Sequence, residues 1–261
     1  MDLDFNQVTA IVHSARNIIC SRKLAGHVSE KSTANYVTEA DQGVQAYLGQ
    51  ELARIAPGVG LFAEEQENEK PDPERSYWIL DPVDGTTNLI HDCQFSAISL
   101  ALARRGHIVF GIVYNPFMEE TYTAVRGKGA SRNGRPLWVS SCDSLSSALV
   151  SFGASPYRKE LAPVLFPVYQ RIYAQIADFR RGGSAALELC YVAAGRLDAY
   201  FEGDLKPWDY AAGQLIAAEA GALCTTFQGD SLPVFERTDV LAAAPGIYPA
   251  MQAELADLKI G

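Results

Sequence analysis

The sequence has few cysteines, and it does not group them. Its five cysteines are scattered over 261 residues, and no two of them form a C-x-x-C pair. Disulfide frameworks and structural zinc sites need such grouping. The sequence therefore argues against both kinds of site. It indicates a reducing compartment, and we expect a cytoplasmic protein.

Long apolar runs and an excess of positive charge are also missing. No apolar run approaches the ~20 residues of a membrane-spanning helix, and the first residues lack the basic start and apolar segment of a signal peptide. The formal net charge is -9 at pH 7, which disfavours general binding to nucleic acid or to anionic lipid. We therefore expect neither a nucleic acid nor a membrane as a partner.

Segments that suit strands alternate along the chain with segments of helical period. Hydrophobic residues make up 48% of the chain and charged residues 20%, as in ordinary globular domains. Apolar faces predict helices over 5–19, 38–55 and 160–176, among others, and short apolar runs predict strands, including one at 197–201. This alternation predicts a layered α/β protein.

The length allows one large domain or two small ones. No convincing repeat, low-complexity tract or long linker divides the chain. The serine-rich segment 140–147 is the best candidate boundary. We therefore expect a single unit over 1–261, with subdomains of about 1–142 and about 143–261.

The stretch 78–88, W-I-L-D-P-V-D-G-T-T-N, carries the strongest signal in the chain. Its apolar start predicts a buried strand that ends in two carboxylates, Asp81 and Asp84. Gly85 lets the backbone come close to a ligand, and the free N–H groups of a helix that starts near Thr86 can receive a phosphate. Carboxylate oxygens are ligands for Mg²⁺. Asp-Pro and Asp-Gly pairs also form ordinary surface turns, so this stretch alone leaves both interpretations open.

Carboxylates also lie at the ends of other predicted elements. Glu64 and Glu202 each follow a short strand, and Asp209 stands at the start of a helix. Two unit charges about 4 Å apart repel by roughly 4 kcal/mol at an effective dielectric near 20. Clustered carboxylates therefore favour bound divalent cations. No set of His and Cys lies nearby, so Mg²⁺ or Mn²⁺ suits the cluster better than Zn²⁺.

Asp41 has two interpretations. It stands three residues after Thr38, the predicted N-cap of a helix, where an acid serves as the reciprocal partner in a capping box. This local role explains Asp41 unless its side chain faces another acidic cluster. A functional role therefore depends on where the fold places it.

The motifs together resemble the inositol monophosphatase family of Mg²⁺-dependent, lithium-sensitive phosphatases. The resemblance rests on L-F-A-E-E at 61–65, W-I-L-D-P-V-D-G-T-T-N at 78–88 and P-W-D-Y-A-A-G at 207–213, with weaker matches in V-T-E-A-D at 37–41 and G-S-A at 183–185. These pieces occur in family order and cover most of the chain. The resemblance implies a sugar-phosphatase fold of alternating αβαβα layers, two or three bound Mg²⁺ ions with Mn²⁺ as a substitute, inhibition by lithium, and assembly as a homodimer.

The resemblance also implies which residues bind metal and phosphate. The implied metal ligands are the side chains of Glu64, Asp81, Asp84 and Asp209, together with the backbone carbonyl of Val83. The backbone amides of Gly85 and Thr86 would hold the phosphate. The metal and phosphate motifs would thus lie in the first subdomain, and the last metal ligand in the second.

A further implied set acts on water and on the alcohol portion of the substrate. Asp41, Glu64 and Thr86 form the implied catalytic set, in which Asp41 and Thr86 position and deprotonate the attacking water. Glu202 and the segment Gly183-Ser184-Ala185 would contact the alcohol. The wider implied substrate-binding set adds residues that also hold metal or phosphate: Glu64, Val83, Asp84, Gly85, Thr86 and Asp209.

The core motifs recognise metal and phosphate, so they leave the substrate open. We expect hydrolysis of inositol monophosphate or a related polyol or sugar phosphate. Relatives with similar cores hydrolyse fructose 1,6-bisphosphate, histidinol phosphate or 3′-phosphoadenosine 5′-phosphate, and these remain alternatives. A non-catalytic interaction protein that retained the fold is an alternative of a different class. Acids at every expected ligand position argue against it.

Two places depart from the family pattern. Asn35 stands where many members have Asp, and His91-Asp92-Cys93 replaces a run similar to His-Gly-x-Pro. Neither place coincides with an implied metal ligand. They leave the outer shell of the site and the substrate entrance open. We expect packing to explain Cys93, and a structural or supporting role to explain His91.

Overall fold

The computed structural model describes residues 3–32, 35–258 and 260, and it describes residues 32 and 35 by their backbone alone. The helices are α1 (Phe5–Ser14), α2 (Arg16–Ile19), α3 (Arg22–Ala25), α4 (Glu39–Ile55), α5 (Thr86–Ile90), α6 (Ala162–Tyr173), α7 (Ala185–Ala193), α8 (Pro207–Glu219) and α9 (Tyr248–Leu255). Short 3₁₀ turns lie at Leu145–Ser147 and Lys159–Leu161.

The strands form one small hairpin and two larger sheets. They are β1 (Val28–Ser32), β2 (Asn35–Thr38), β3 (Gly60–Ala63), β4 (Ser76–Asp84), β5 (Ala97–Arg104), β6 (His107–Asn115), β7 (Glu120–Val125), β8 (Ala130–Arg132), β9 (Arg135–Pro136), β10 (Leu149–Phe152), β11 (Asp178–Arg180), β12 (Ala199–Leu205), β13 (Leu223–Thr225) and β14 (Thr238–Ala243). The seven-stranded sheet runs in chain order from β3 to β9, and the five-stranded sheet has the order β11-β10-β12-β14-β13.

Helices cover both sheets and separate them. Helices α1 and α4 pack on one face of the seven-stranded sheet, in a core that includes Val12 and Leu48. Helices α7 and α8 fill the space between the two sheets, with Leu187 and Ile216 buried there. Helices α6 and α9 cover the outer face of the five-stranded sheet, where Met251 is buried. The expected αβαβα layering is therefore confirmed.

Strand β4 lies in the middle of this arrangement, with both faces buried. Trp78 points into the core with α1 and α4, whereas Ile79 points into the core with α7 and α8. Burial on both faces explains why the strand is a continuous apolar run. As predicted, β4 ends in the two acids, and its pairing with β5 is irregular between Asp81 and Asp84. Pro82 lies in this irregular stretch, where its missing N–H leaves no gap in a regular ladder.

Small residues let α7 and α8 pack closely against each other and against the large sheet. A Cβ on Gly111 of β6 would lie 2.9 Å from the Ala212 carbonyl oxygen. A Cβ on Gly213 would lie 2.8 Å from the Leu189 Cβ atom. The A-A-G part of the P-W-D-Y-A-A-G motif is therefore explained by packing, while the Asp stands in the first turn of α8.

Two predicted helices differ from the observed ones. The helix predicted over 5–19 is interrupted at Ala15, whose ψ of -6° ends α1 before α2 begins. The helix predicted over 160–176 is shorter, because a 3₁₀ turn precedes it and α6 begins at Ala162. Pro163 lies in the first turn of α6, where a missing N–H is tolerated.

The strand predicted at 197–201 continues beyond its expected end. Strand β12 includes Glu202 and ends at Leu205, with irregular pairing to β14 between these two residues. Glu202 is therefore an internal strand residue, and the expectation that it follows the strand is wrong. The proposed subdomain division stays a prediction. Helices α7 and α8 from the second half share one core with the sheet of the first half.

Candidate active site

Most of the implied site residues line one cleft, although they come from distant parts of the sequence. The residues that line it and were singled out in the sequence are Glu64, Asp81, Val83, Asp84, Gly85, Thr86, Glu202 and Asp209. An adjoining chamber shares several of these residues and adds Gly183 and Ala185. Asp41 and Ser184 do not line the cleft themselves. Asp41 is hydrogen-bonded to Thr86 and Ser184 to Asp84, and both partners line it.

The irregular end of β4 turns Asp81 and Asp84 in different directions. Asp81 Oδ1 accepts from the Val83 N–H at 2.9 Å. Asp84 Oδ2 accepts from the Ser184 hydroxyl at 2.5 Å and from the Ala186 N–H at 2.7 Å. Because Ser184 is the N-cap of α7, Asp84 is held by the first turn of that helix. The side chain of Ser184 therefore supports an acid, a contact that the resemblance did not imply for it.

The carboxylates of the cleft share one electrostatic environment. Burial raises the pKa of Asp84 to about 7. Burial, followed by repulsion from Asp209, raises the pKa of Glu64 to about 7. Burial, followed by repulsion from Asp84, raises the pKa of Asp209 to about 7. The pKa of Asp81 is also raised well above its ordinary value, first by burial and then by Glu64. Without a cation, these groups therefore resist ionising together.

The free oxygens of the same carboxylates are suitable ligands for a hard divalent cation. Asp81 Oδ2, Asp84 Oδ1 and Asp209 Oδ1 accept no hydrogen bond from the residues that the structure describes. Lys31 Nζ is 3.9 Å from Glu64 Oε1 and pairs more closely with Glu65. An all-oxygen donor set of this kind fits Mg²⁺ or Mn²⁺.

The carboxylates are not yet at ligand spacing. Within 3–32, 35–258 and 260, no group of three or more His, Cys, Asp or Glu side chains is placed to hold a metal ion. A bound cation would therefore have to draw the free oxygens of these side chains closer together. The chemistry of the donors fits such a cation, while their spacing in this structure is that of mutually repelling acids.

Asp41 both completes the capping box of α4 and lies beside the cleft. Its Oδ2 atom accepts from the Thr38 N–H at 2.8 Å, which completes the capping box of α4. Its Oδ1 atom accepts from the Thr86 hydroxyl at 2.9 Å. The same hydroxyl lies 3.0 Å from the Val83 carbonyl oxygen. The capping box thus fixes a fully buried acid beside the cleft, where the sequence alone left its position open.

Gly85 has the backbone conformation that its position requires. Its φ is 89°, in the left-handed region that favours glycine. A Cβ atom there would lie 3.0 Å from the Phe95 carbonyl oxygen and 3.2 Å from the Gly183 carbonyl oxygen. Because α5 begins at Thr86, its first N–H groups have no acceptor within the helix. Gly85 and Thr86 line the cleft, and the resemblance implies that their N–H groups hold the phosphate.

Glu202 joins the cleft to a loop that sequence reasoning missed. Its Oε2 atom accepts from the Tyr200 hydroxyl at 2.6 Å, and its Oε1 atom accepts from the Ser155 N–H at 3.2 Å. A Cβ atom on Gly153 would lie 1.7 Å from the Glu202 carboxyl carbon, so only glycine fits beneath this side chain. Glu202 therefore anchors the loop 153–158, which follows β10.

The missed loop and two cations complete the lining of the cleft. Pro156 and Tyr157 line both the cleft and its adjoining chamber, and Lys206 and Arg237 line the cleft. The available signal was the G-A-S-P-Y sequence at 153–157, which directly follows the apolar segment 148–152, because ligands bind at the carboxyl ends of parallel strands. His91, Asp92 and Cys93 do not line the cleft among the residues that the structure describes. Cys93 is exposed, so the expectation that packing explains it is wrong. The side chain of Asn35 lies outside the described part.

Comparison with known proteins shows similarity over almost the whole chain. Residues 3–258 match the sequence model of the Inositol monophosphatase family. The Inositol-1-monophosphatase of Rhizobium meliloti (strain 1021) is 41% identical over 207 residues, which cover 79% of this chain and 78% of that protein. The Nus factor SuhB of Escherichia coli (strain K12) is 34% identical over 233 residues, which cover 89% of this chain and 87% of that protein.

A solved structure shows the same similarity in three dimensions. The extragenic suppressor protein suhB from Bartonella henselae superimposes with a TM-score of 0.90 at 33% identity, over 97% of this chain and 98% of that one. The expected fold is therefore confirmed. Among the described residues no helix is long and apolar enough to cross a membrane. Since some relatives carry the name Nus factor, the expectation of no nucleic-acid partner stays a prediction.

Proposed function

Because the chain belongs to the inositol monophosphatase family, we propose that it is a Mg²⁺-dependent phosphomonoesterase acting on inositol monophosphate or a related polyol or sugar phosphate. The observation that carries this proposal is the meeting of four buried carboxylates in one cleft beside the Asp41–Thr86 pair. They come from three separate parts of the chain, which a single surface turn would not bring together.

The metal would be held by the four carboxylates of the cleft. Glu64, Asp81, Asp84 and Asp209, with the Val83 carbonyl, would hold two or three Mg²⁺ ions, or Mn²⁺ in their place. Bound divalent ions activate a water molecule and stabilise the leaving oxygen of a phosphate ester. Their charge would also relieve the repulsion that raises the pKa values of these carboxylates.

The chain's own hydroxyl and carboxylate would orient the attacking water. The Thr86 hydroxyl donates its hydrogen towards Asp41 or the Val83 carbonyl, which leaves its oxygen free to accept from water. Asp41 is then the acceptor at the end of a short chain along which a proton can leave the water. The N–H groups at the start of α5 would hold the phosphate oxygens, so that water attacks in line with the leaving alcohol.

The substrate, the oligomeric state and the cellular location are inferred from the family and the composition. The name Inositol-1-monophosphatase of a relative that is 41% identical supports inositol phosphates as substrates. We also propose assembly as a homodimer and a cytoplasmic location, since the scattered cysteines suit a reducing compartment. Hydrolysis of fructose 1,6-bisphosphate, histidinol phosphate or 3′-phosphoadenosine 5′-phosphate remains an alternative on the same core.

A non-catalytic interaction role is the second candidate. It is favoured by the name Nus factor SuhB of the relative from Escherichia coli. The acids of the cleft argue against a protein that has lost catalysis, because a buried cluster of repelling carboxylates destabilises the fold unless a cation binds. The two roles do not exclude each other, but only the first needs these acids.

Phosphate release from a panel of esters tests the proposal. The purified chain is assayed with inositol 1-phosphate, fructose 1,6-bisphosphate, histidinol phosphate and 3′-phosphoadenosine 5′-phosphate, with Mg²⁺, with Mn²⁺ and with a chelator. We expect release from at least one ester, and its loss with the chelator. No release from any ester with either metal would overturn the proposal and favour the non-catalytic role.

A further inference from the structure

Glu188 is a buried acid that the proposed mechanism does not use. It lies in the first turn of α7, and only 2% of its surface is exposed. Burial raises the pKa of Glu188 to about 7, above that of an ordinary glutamate. The folded chain therefore loses stability as the pH rises to neutral and this group ionises. The carboxylate nevertheless accepts three hydrogen bonds from the chain.

These hydrogen bonds come from the strand beside α7 and from the segment that precedes the helix. Glu188 Oε1 accepts from the Ser151 hydroxyl of β10 and from the Gly182 N–H, the latter at 2.8 Å. Glu188 Oε2 accepts from the Gly183 N–H at 3.3 Å. The two carboxylate oxygens therefore hold two successive N–H groups of the segment 182–184.

The first two residues of this segment are glycines, so contacts from elsewhere must fix it. Gly183 has a φ of 82°, in the left-handed region that favours glycine. A Cβ atom on Gly182 would lie 2.4 Å from the Phe95 ring, so this position has no room for a side chain. Asn88 Nδ2 donates to the Gly182 carbonyl oxygen at 2.8 Å. The segment is thus held by Asn88 at a carbonyl group and by Glu188 at its N–H groups.

The same segment ends in the residue that holds Asp84. Ser184 follows Gly183 directly, and its hydroxyl donates to Asp84 Oδ2 at 2.5 Å. The Ser184 carbonyl oxygen accepts from the Glu188 N–H at 3.0 Å. Glu188 therefore contacts the segment on both sides of the peptide group that joins Gly183 to Ser184. The direction of the Asp84 carboxylate depends on where this segment places the Ser184 hydroxyl.

We propose that Glu188 is a positioning residue for the metal site, which holds the segment 182–184 so that Ser184 directs Asp84 towards the cleft. This inference rests on the proposed function and adds a residue to it. Glu188 is not among the described residues that line the cleft or its adjoining chamber, so it acts through Ser184 and touches neither metal nor substrate. A carboxylate suits this role because both of its oxygens accept hydrogen bonds.

Glu188→Gln tests this role with almost no change in shape. The remaining oxygen still accepts from Ser151 and Gly182, but the new NH₂ group faces the Gly183 N–H, donor against donor. Calorimetry should show that the variant binds Mg²⁺ about tenfold more weakly, as the loss of an outer-shell partner does. The Mg²⁺ concentration at half-maximal phosphate release should rise by the same factor, while KM for the ester at saturating Mg²⁺ stays nearly unchanged.

The melting temperature without Mg²⁺ separates positioning from a merely structural role. It should stay equal or rise in Glu188→Gln, because a buried group that resists ionising has been replaced by a neutral one of the same size. A marked fall in the melting temperature would indicate that Glu188 serves the fold and would overturn the inference.

Glu219→Gln is the matched control. Glu219 lies on the neighbouring helix α8, and its carboxylate accepts from the Gly127 and Gly129 N–H groups at 2.7 and 2.8 Å. It is not among the described residues that line the cleft. The substitution disturbs the same kind of contact and removes the same charge, and it should leave Mg²⁺ binding unchanged. An equal loss of Mg²⁺ affinity in both variants would rule out a specific role for Glu188.

A double-mutant cycle shows whether Glu188 acts through Ser184. Ser184→Ala removes the hydroxyl that holds Asp84 and should weaken Mg²⁺ binding by itself. Adding Glu188→Gln to Ser184→Ala should weaken it little further, because changes that act on one shared contact are not additive. Fully additive losses would mean that Glu188 affects the metal by its charge alone, which contradicts positioning.

Mg²⁺ binding and catalysis together separate this inference from the proposed function. If the unaltered chain binds Mg²⁺ but releases phosphate from no ester of the panel, the proposed function is wrong, and the Mg²⁺ dissociation constants of the variants still decide the role of Glu188. If the chain is active and Glu188→Gln binds Mg²⁺ as tightly as the unaltered chain does, positioning is wrong and the function stands. If the unaltered chain binds no Mg²⁺, both are wrong.

Discussion

Asp84 has its two carboxylate oxygens in different surroundings. Oδ2 is held by the Ser184 hydroxyl and the Ala186 N–H, while Oδ1 accepts no hydrogen bond among the described residues. One oxygen therefore orients the side chain, and the other is available to a cation. Asp81 and Asp209 divide their oxygens in the same way, with the Val83 and Lys206 N–H groups as donors. Each acid thus has one oxygen that the fold holds and one that no described donor holds.

Asp84→Asn should abolish most Mg²⁺-dependent phosphate release without unfolding the chain. The amide has one oxygen, which can serve Ser184 and Ala186 or a cation, but not both. The loss should exceed the roughly 10–100-fold that an outer-shell partner contributes. Without Mg²⁺ the melting temperature should stay equal or rise, because one repelling carboxylate is gone.

Thermal melting with and without Mg²⁺ gives a second readout for Asp84→Asn. Mg²⁺ should raise the melting temperature of the unaltered chain by mass action, and this rise should shrink in the variant. Asp257→Asn, at an exposed position, should behave as the unaltered chain does in both assays. Normal turnover of Asp84→Asn at saturating Mg²⁺ would contradict its role as a ligand.

Glu202→Gln should change substrate preference more than Mg²⁺ affinity. Glutamine has an NH₂ group in place of one carboxylate oxygen, so its two terminal atoms cannot both accept, from the Tyr200 hydroxyl and from the Ser155 N–H, as those of the carboxylate do. We expect the loop 153–158 to loosen and the ratio of kcat/KM values across the ester panel to shift. Michaelis constants and Mg²⁺ titrations separate the two effects. A large loss of Mg²⁺ affinity with an unchanged ratio would show that this assignment is wrong.

At the scale of elements, the site depends on how closely helices approach the large sheet. Helix α8 carries Asp209 in its first turn and packs against β6 through Ala212. Helix α7 begins at the N-cap that holds Asp84 and packs against α8 through Leu189 and Gly213. The same two helices thus fill the centre of the molecule and set the positions of two acids.

Gly111→Ala should destabilise the fold by about 1–3 kcal/mol, the usual effect of overpacking a core. The added Cβ would meet the Ala212 carbonyl oxygen at 2.9 Å and its Cα at 3.1 Å, and backbone atoms cannot turn away as a flexible side chain does. Urea unfolding monitored by fluorescence measures the change. Gly58→Ala is the control, because a Cβ there meets nothing within 4 Å. Equal midpoints for Gly111→Ala and the unaltered chain would contradict the packing argument.

At the scale of the whole molecule, an acidic chain concentrates buried acids in one cleft. The formal net charge of -9 adds to the repulsion among these acids. A cation that enters the cleft therefore reduces the repulsion from the whole chain as well as that between its immediate ligands. Lys206 and Arg237 line the cleft, and Lys159 and Arg181 line its adjoining chamber. Arg237 also pairs with Asp204. Under the proposed function, these cations would attract a phosphorylated substrate, and the buried acids would attract a metal ion.

Lithium should inhibit phosphate release in a manner that depends on Mg²⁺. Li⁺ is small and prefers oxygen ligands as Mg²⁺ does, but it carries half the charge. It would therefore offset less of the repulsion in the cleft and support turnover poorly. Initial rates are measured across LiCl concentrations at several Mg²⁺ levels, with NaCl or KCl keeping the ionic strength constant. Equal rates in lithium and in the control salts would reject this prediction and leave phosphatase activity untouched.

The sequence alone determined the local features of the fold and the site. The apolar run before Asp81 predicted β4, and the Thr38 to Asp41 spacing predicted the capping box of α4. The matching motifs indicated the family, which the comparisons confirmed. These features depend on residues close together in sequence, where strand and helix periods and capping rules apply directly. The predicted boundaries of β12 and of α6 were wrong, because tertiary pairing and a 3₁₀ turn set the observed ones.

Only the tertiary structure decided which of these local features meet. The contact of Asp41 with Thr86 spans 45 residues, and that of Ser184 with Asp84 spans 100. The anchoring of the 153–158 loop by Glu202, and the placing of Lys159 and Arg181 on one chamber, follow from the strand order β11-β10-β12. Strand order is set by packing between segments that are distant in the chain. The pattern within each segment carries no record of it, and for that reason the placing of the two cations on one chamber could not be predicted.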